Sequence, residues 1–150
     1  EDGVIARPLG KLTMVNCASP HYLTRFGYPQ SPDDLTSHAI VRYTPHLGVH
    51  PLGFEVASVN GVQWFKSGGM LTVNSRENYL AAGLAGLGII QIPRIAVREA
   101  LRAGRLIEVL PGYRAEPLSL SLVYPQRREL SRRVNLFMQW LAGVMKEYLD

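Results

Sequence analysis

Leu71-Thr72-Val73-Asn74-Ser75-Arg76-Glu77-Asn78-Tyr79-Leu80-Ala81-Ala82-Gly83-Leu84-Ala85-Gly86-Leu87-Gly88-Ile89-Ile90-Gln91-Ile92-Pro93 reads as strand, capped helix and second strand, with almost no loop between them. The short β-branched run stops at Asn74 and Ser75, and either side chain can accept hydrogen bonds from a helix's first free N–H groups. Small and apolar residues then recur at helical spacing until Gly86 and Gly88 supply a stop. Ile89 to Ile92 is an apolar run of the kind that fills a parallel, doubly covered sheet. In such sheets ligands sit beyond the carboxyl ends of the strands, where this Asn-Ser helix start would lie. The stretch predicts a small-molecule site and no bond-breaking chemistry.

Upstream, Ala39-Ile40-Val41-Arg42-Tyr43 is a predicted strand, followed by a proline- and glycine-rich loop from Thr44 to Gly53. Phe54 to Val59 and Val62 to Lys66 flank Asn60-Gly61, a two-residue hairpin signal. Further back, Val4 to Pro8 is a short apolar opening and Leu12 to Cys17 a strand. Ala18-Ser19-Pro20 caps a helix around His21 to Phe26, and Ser31-Pro32-Asp33-Asp34-Leu35 opens another helical turn with acids at its positive end. Downstream, Ile95 to Ala103 has helical periodicity, Leu106 to Leu110 is a strand, and Leu118 to Tyr124 is a strand broken by Pro125. From Ser131 to Leu149 the apolar residues fall on one stripe of an amphipathic helix. Strands alternating with helices predict an α/β architecture with an inserted hairpin.

The chain has 150 residues, room for one domain or for two small lobes. Its 47% hydrophobic and 19% charged content is that of a globular protein. No apolar run is long enough to span a bilayer and no signal-peptide pattern opens the chain, so no membrane partner is expected. The chain begins Glu1-Asp2 without methionine, which reads as a piece of a longer protein. Cys17 is the only cysteine, which rules out an intrachain disulfide or a thiolate cluster and is compatible with a reducing cytoplasm. The formal charge of +4 comes mostly from scattered arginines without interleaved aromatics, a poor footprint for direct nucleic-acid binding.

His46 and His50 have a spacing that could set two imidazoles on one helix face, but Pro45, Gly48 and Pro51 break any helix there, so the segment reads as a loop and not as a metal site. Gly83, Gly86 and Gly88 sit at a helix end and not its start, so they do not form a dinucleotide fingerprint. Cys17 reads as a buried structural thiol, and Asp33 with Asp34 as dipole-complementing residues. No nucleophile elbow, Walker loop or zinc-protease motif is present, and neither a catalytic residue nor a cofactor is expected. Asn74, Ser75 and Asn78 stand apart. Asn74 or Ser75 suffices as a plain helix cap, yet a helix N-terminus with its free N–H groups is also a ready site for an anionic effector. Asn78 lies one turn along the same face, and Tyr43 with Thr44 closes a neighbouring strand as a second wall. Tyr124 reads mainly as core.

Several segments together carry a family resemblance. They are Arg7-Pro8-Leu9-Gly10 with Cys17 to Leu23; Ser31 to Leu35 with Arg42-Tyr43; Val73-Asn74-Ser75 through Ala85 to Ile89 and Pro93; Gly104-Arg105-Leu106 to Leu110; and Leu122-Val123-Tyr124-Pro125 with Leu130-Ser131. In this order and spacing the chain resembles the effector-binding region of LysR-type transcriptional regulators. The resemblance implies an α/β, periplasmic-binding-protein-like (type 2) fold of two lobes, one nearly complete and one partial. Residues 1–18 would be a crossing segment and remnant of lobe I, 19–117 lobe II, and 118–150 the return strand and C-terminal helix of lobe I. It also implies a cytoplasmic, non-enzymatic sensor with a small anionic effector in an interlobe cleft. Tyr43, Thr44, Asn74, Ser75 and Asn78 would contact that effector. DNA would be bound only through an N-terminal winged helix-turn-helix that this sequence does not contain, in a homodimer or homotetramer. A solute-binding protein of a transport system shares the fold and is the alternative. The C-terminal helix would lack neighbours for part of its apolar stripe and so would expose it.

Overall fold

Along the chain run β1 (Val4–Leu12), β2 (Met14–Ala18), α1 (Pro20–Phe26), a 3-10 helix (Pro32–Ser37), β3 (Arg42–Tyr43), β4 (Phe54–Ser58) and β5 (Gly61–Phe65). They are followed by β6 (Thr72–Val73), α2 (Arg76–Leu84), β7 (Ile90–Pro93), α3 (Arg94–Arg102), β8 (Ile107–Glu108), β9 (Leu118–Pro125) and α4 (Arg132–Met145). This computed structural model describes residues 3–46, 48, 53–69, 71–125 and 131–149. The chain divides into two units, one of Met14–Glu116 and one of Glu1–Thr13 with Pro117–Asp150.

The Met14–Glu116 unit is organised on a three-stranded sheet of order β7-β2-β8, with Asn16 opposite Gln91 and Cys17 opposite Glu108. Side chains alternate across a strand. Val15 and Cys17 of β2 and Ile90 and Ile92 of β7 therefore share one face, packed with Tyr79 and Ala82 of α2 and Val97 and Ala100 of α3. Ala18 and Ile89 belong to a second cluster with Tyr22, Leu23, Leu35 and Phe54. Each fully buried isoleucine or valine contributes about 1.5–3 kcal/mol, so this double-sided core is what fixes the sheet.

β7 pairs antiparallel with β2, which corrects the parallel sheet expected for Ile89–Ile92. A continuous apolar run reports burial on both faces, and a covered antiparallel strand shares that signature; the direction is set by the strand that lies beside it. Parallel pairing among the described residues is confined to β3 with β6 and to the bridges Ala39–Gly68 and Ile40–Ile89. The strand expected over Leu106–Leu110 is regular only at Ile107–Glu108, because Leu110 turns out of line with φ 49° and gives its carbonyl to the Asn16 amide at 3.2 Å.

The β4–β5 hairpin forms as expected, but its connection is Val59-Asn60 and not Asn60-Gly61. Ser58 sets this register: its hydroxyl donates to the Gly61 carbonyl at 2.7 Å and accepts the Asn60 N–H at 3.3 Å. The caps follow the sequence closely. Ser19 Oγ accepts the Tyr22 N–H at 3.2 Å, and Asp34 accepts the Gln30 and Ser31 N–H groups at 2.8 and 3.0 Å. Those two bonds hold the Asp34 carboxyl below its usual pKa. α2 ends at Leu84, and Gly86 follows at φ 78°, a left-handed residue of the kind that closes helices.

His38 is buried, with Nδ1 3.0 Å from the Tyr22 hydroxyl, whose oxygen also accepts the Ala39 N–H at 2.9 Å. Burial pushes its pKa below the ordinary 6.5, opposed in part by the Asp34 charge. The fold therefore disfavours the charged ring. This contribution to stability is complete above the unfolded value of 6.5 and is lost as pH falls toward the folded one. The melting temperature should drop as pH falls below 6.5, and His38→Gln should flatten part of that drop. An unchanged profile in the variant would assign the loss to other groups.

In the second unit β1 and β9 pair antiparallel from Val4–Pro125 to Leu12–Leu118, with a register shift between Pro8 and Gly10. Ser131 caps α4, its Oγ accepting the Val134 N–H at 3.4 Å. Met138 is the buried residue of α4, while Phe137 and Trp140 are 56% and 61% exposed with ring centroids 5.7 Å apart.

Candidate functional site

The parallel pair β3–β6 brings the five expected site residues to one edge. Arg42 lies beside Thr72 and Tyr43 beside Val73, and the Thr44 N–H donates to the Val73 carbonyl at 3.0 Å. Tyr43-Thr44 and Asn74-Ser75 thus leave the same carboxyl end of two adjacent strands, where α2 begins. The two candidate caps separate here. Ser75 is the N-cap, with its Oγ accepting the Asn78 N–H at 3.1 Å and its carbonyl accepting the Tyr79 N–H at 3.0 Å. The Asn74 side chain is exposed and makes no hydrogen bond among the described residues. Asn78 is exposed on the first turn of α2. Thr44 is buried and its hydroxyl is already used, donating to the His46 carbonyl at 2.8 Å. His46 is exposed, and His50, its expected partner on the loop, lies outside the described residues.

Tyr43 is 41% exposed and its ring sits 5.6 Å from that of buried Tyr79. These two rings lead into a cavity of about 230 Å³ in the same unit, bounded also by Arg42, Glu55, Trp64 and Gln91 over a floor that includes Met14, Ile40 and Val41. That is below the roughly 300–1,000 Å³ of drug-sized ligand sites and suits a small molecule. Of the five expected residues only Tyr43 lines it.

The cavity wall is built by one polar network. Gln91 Oε1 accepts the Glu55 N–H at 2.9 Å and its Nε2 donates to the Glu55 carbonyl at 2.8 Å and to Asn16 Oδ1 at 3.0 Å. The Tyr79 hydroxyl accepts the Gln91 N–H at 2.8 Å, and burial raises the Tyr79 pKa, so the phenol stays protonated. Gln91 was legible as a polar residue inside an apolar run; Glu55 and Trp64 carry no such signal, since only their register across the hairpin places them together.

Charge in the unit is unevenly matched. Glu108 takes Arg94 at 2.7 Å and Arg114 at 2.6 Å. Neither Arg42 nor Glu55 has an ion-pair partner among the described residues. The Arg42 Nη2 donates to the Ser67 carbonyl at 3.2 Å, while its Nε and the Ser67 hydroxyl are buried without partners. A buried donor left unpaired costs about 1–3 kcal/mol. Cys17 is fully buried, and burial, reinforced by Glu108, pushes its thiol up to about 12, so it is no nucleophile at neutral pH.

Residues 1–146 match the family model of the LysR substrate binding domain. The chain belongs to that family. The HTH-type transcriptional regulator YhjC of Escherichia coli (strain K12) is 99% identical over 150 residues, all of this chain and 50% of that protein. An HTH-type transcriptional regulator of Haemophilus influenzae is 34% identical over 134 residues, 89% of this chain and 46% of the relative. Among solved structures, the regulatory domain of CrgA, a LysR-type transcriptional regulator from Neisseria meningitidis, superposes with a TM-score of 0.79 at 25% identity, over 95% of this chain and 69% of that one. The chain spans about half the length of the curated relatives it matches. The mixed α/β fold is that of LysR regulatory domains, periplasmic-binding-protein-like of type 2. The relatives are transcriptional regulators, neither enzymes nor transport solute-binding proteins. No described helix is long and apolar enough to cross a membrane.

Proposed function

We propose that this chain is the effector-sensing domain of a cytoplasmic LysR-type regulator, in which a small molecule bearing an anionic group biases how the whole protein engages DNA. The family match over residues 1–146 carries the reading. Binding involves Tyr43, Thr44, Asn74, Ser75 and Asn78, and the shared carboxyl end of β3 and β6 beside the α2 N-terminus supports that choice. In this reading 19–117 is lobe II, with 1–18 and 118–150 supplying the crossing segment and the remainder of lobe I. DNA contact belongs to a winged helix-turn-helix outside this chain. The working state is a homodimer or homotetramer, and the exposed Phe137 and Trp140 of α4 support assembly.

The test is a thermal-shift screen of a full-length protein containing this chain against small carboxylates, aromatic acids and amino acids, because a ligand of the native state raises the melting temperature. The separation of the two caps sharpens it. Ser75→Ala should cost about 1 kcal/mol of stability as a lost N-cap. Asn74→Ala should leave unliganded stability within about 0.5 kcal/mol, as for a surface change, yet weaken a hit about tenfold or more. A hit unaffected by Asn74→Ala would remove that residue from the site.

A further inference from the structure

We infer that the cavity between β3, the β4–β5 hairpin and α2 takes a zwitterionic amino acid, its carboxylate on Arg42 and its ammonium on Glu55. The inference rests on the effector-sensing reading and names the ligand class, but it assigns the ligand's two charged groups to this cavity, which shares only Tyr43 with the residues at the α2 N-terminus. Both residues bound the same cavity of about 230 Å³, on strands of one unit. Neither is neutralised: no described acid lies within ion-pair distance of Arg42, and no described base within that distance of Glu55. Glu108 shows the opposite condition in the same unit, held between two arginines. Arg42 lines the cavity and spends one guanidinium donor on the Ser67 carbonyl at 3.2 Å, and a guanidinium is the group best matched to a carboxylate. Glu55 accepts one N–H, from Glu116 at 2.9 Å, which leaves acceptor sites on the carboxylate for an ammonium.

A plain acid would satisfy Arg42 but meet the Glu55 charge, and a plain amine would meet the reverse; a molecule carrying both charges satisfies both. Tyr43, Trp64 and Tyr79 supply the aromatic remainder of the wall, with Trp64 directly across the hairpin from Glu55, so an amino-acid side chain with an apolar or aromatic body is favoured.

The experiment is calorimetric titration of the full-length protein with the twenty L-amino acids, followed, for each binder, by its deaminated acid and its decarboxylated amine. At least one amino acid should bind, with both matched probes at least tenfold weaker. Glu55→Gln, which keeps the backbone bonds to Gln91 and an oxygen for the Glu116 N–H, should erase the preference for the amino acid over the acid. Arg42→Lys should weaken the amino acid at least tenfold. An acid that binds as tightly as its amino acid would overturn the zwitterion while leaving an effector sensor in place. Binding unchanged in both variants would overturn the cavity as its location. Silence from all twenty amino acids would overturn the proposal; the effector reading then stands or falls on the carboxylate and aromatic-acid arms of the thermal-shift screen.

Discussion

Gly88→Ala is expected to destabilise the Met14–Glu116 unit by about 3 kcal/mol, a fall in melting temperature of roughly 10 °C. A Cβ at Gly88 would stand 2.6 Å from the Ala39 carbonyl oxygen and 3.1 Å from the Val41 nitrogen. Both neighbours are backbone, so no side chain can swing away. The strand segments there are joined by Ile89 N–H to Ala39 at 2.9 Å and Val41 N–H to Ile89 at 3.0 Å, and relieving the clash breaks or lengthens both bonds. Gly143→Ala is the opposite-signed control. That helical position has nothing within 4 Å of an added Cβ, and alanine there should stabilise by about 0.5–1 kcal/mol. Thermal denaturation of the two variants side by side decides the matter: equal melting temperatures would show that the Ala39–Gly88 approach is looser than the structure has it.

The second large effect is expected from Asn16→Leu, which is close to isosteric and apolar. Asn16 is fully buried; its amide donates to the Leu110 and Tyr113 carbonyls at 3.2 and 2.8 Å and accepts from Gln91 at 3.0 Å. Removing the amide strands two carbonyls and one N–H of Gln91, at about 1–3 kcal/mol for each buried group left unpaired. Partial relaxation brings the expected total to about 3–5 kcal/mol, within the range of a broken buried network. Urea denaturation measures it. Because Gln91 bounds the cavity, effector affinity should fall in the same variant, and a stability loss under about 1 kcal/mol would mean that solvent reaches these groups.

Local chemistry was legible in the sequence and long-range pairing was not. The α2 start at Ser75, the α4 start at Ser131 and the Asp34 turn all rest on bonds spanning three or four residues; the sequence marked the Asp34 turn and narrowed the α2 cap to Asn74 or Ser75, while at α4 it was the apolar stripe and not the cap that marked the start. The Asn60-Gly61 signal located the hairpin but missed its register by one residue, because the Ser58 hydroxyl outweighed the glycine's turn preference. The family's segments were recognisable because order and spacing survive where single motifs are weak. The cavity was a different matter. Gln91 reaches Glu55 across 36 residues and Asn16 across 75, and no periodicity encodes such a meeting. Asn74 and Tyr43 were visible as strand-end residues; Arg42, Glu55 and Trp64 become neighbours only once β3, β4 and β5 have folded.

The β4–β5 hairpin hydrogen-bonds as a sheet of its own and is fastened to the rest of its unit by the Gln91 clasp on Glu55, the Glu116 N–H on the Glu55 carboxylate at 2.9 Å, the Ala57 N–H on the Arg114 carbonyl at 2.8 Å, and the buried anchors Phe54 and Val56. Its outer strand, Gly61–Phe65, carries Trp64 into the cavity wall and packs Phe65 against the second core cluster, while its other residues are exposed. Such a hairpin is an exchangeable cassette. A lineage could rewrite the chemical taste of the sensor by editing the exposed positions of that strand, Trp64 first, with Phe65 kept as its anchor on the scaffold.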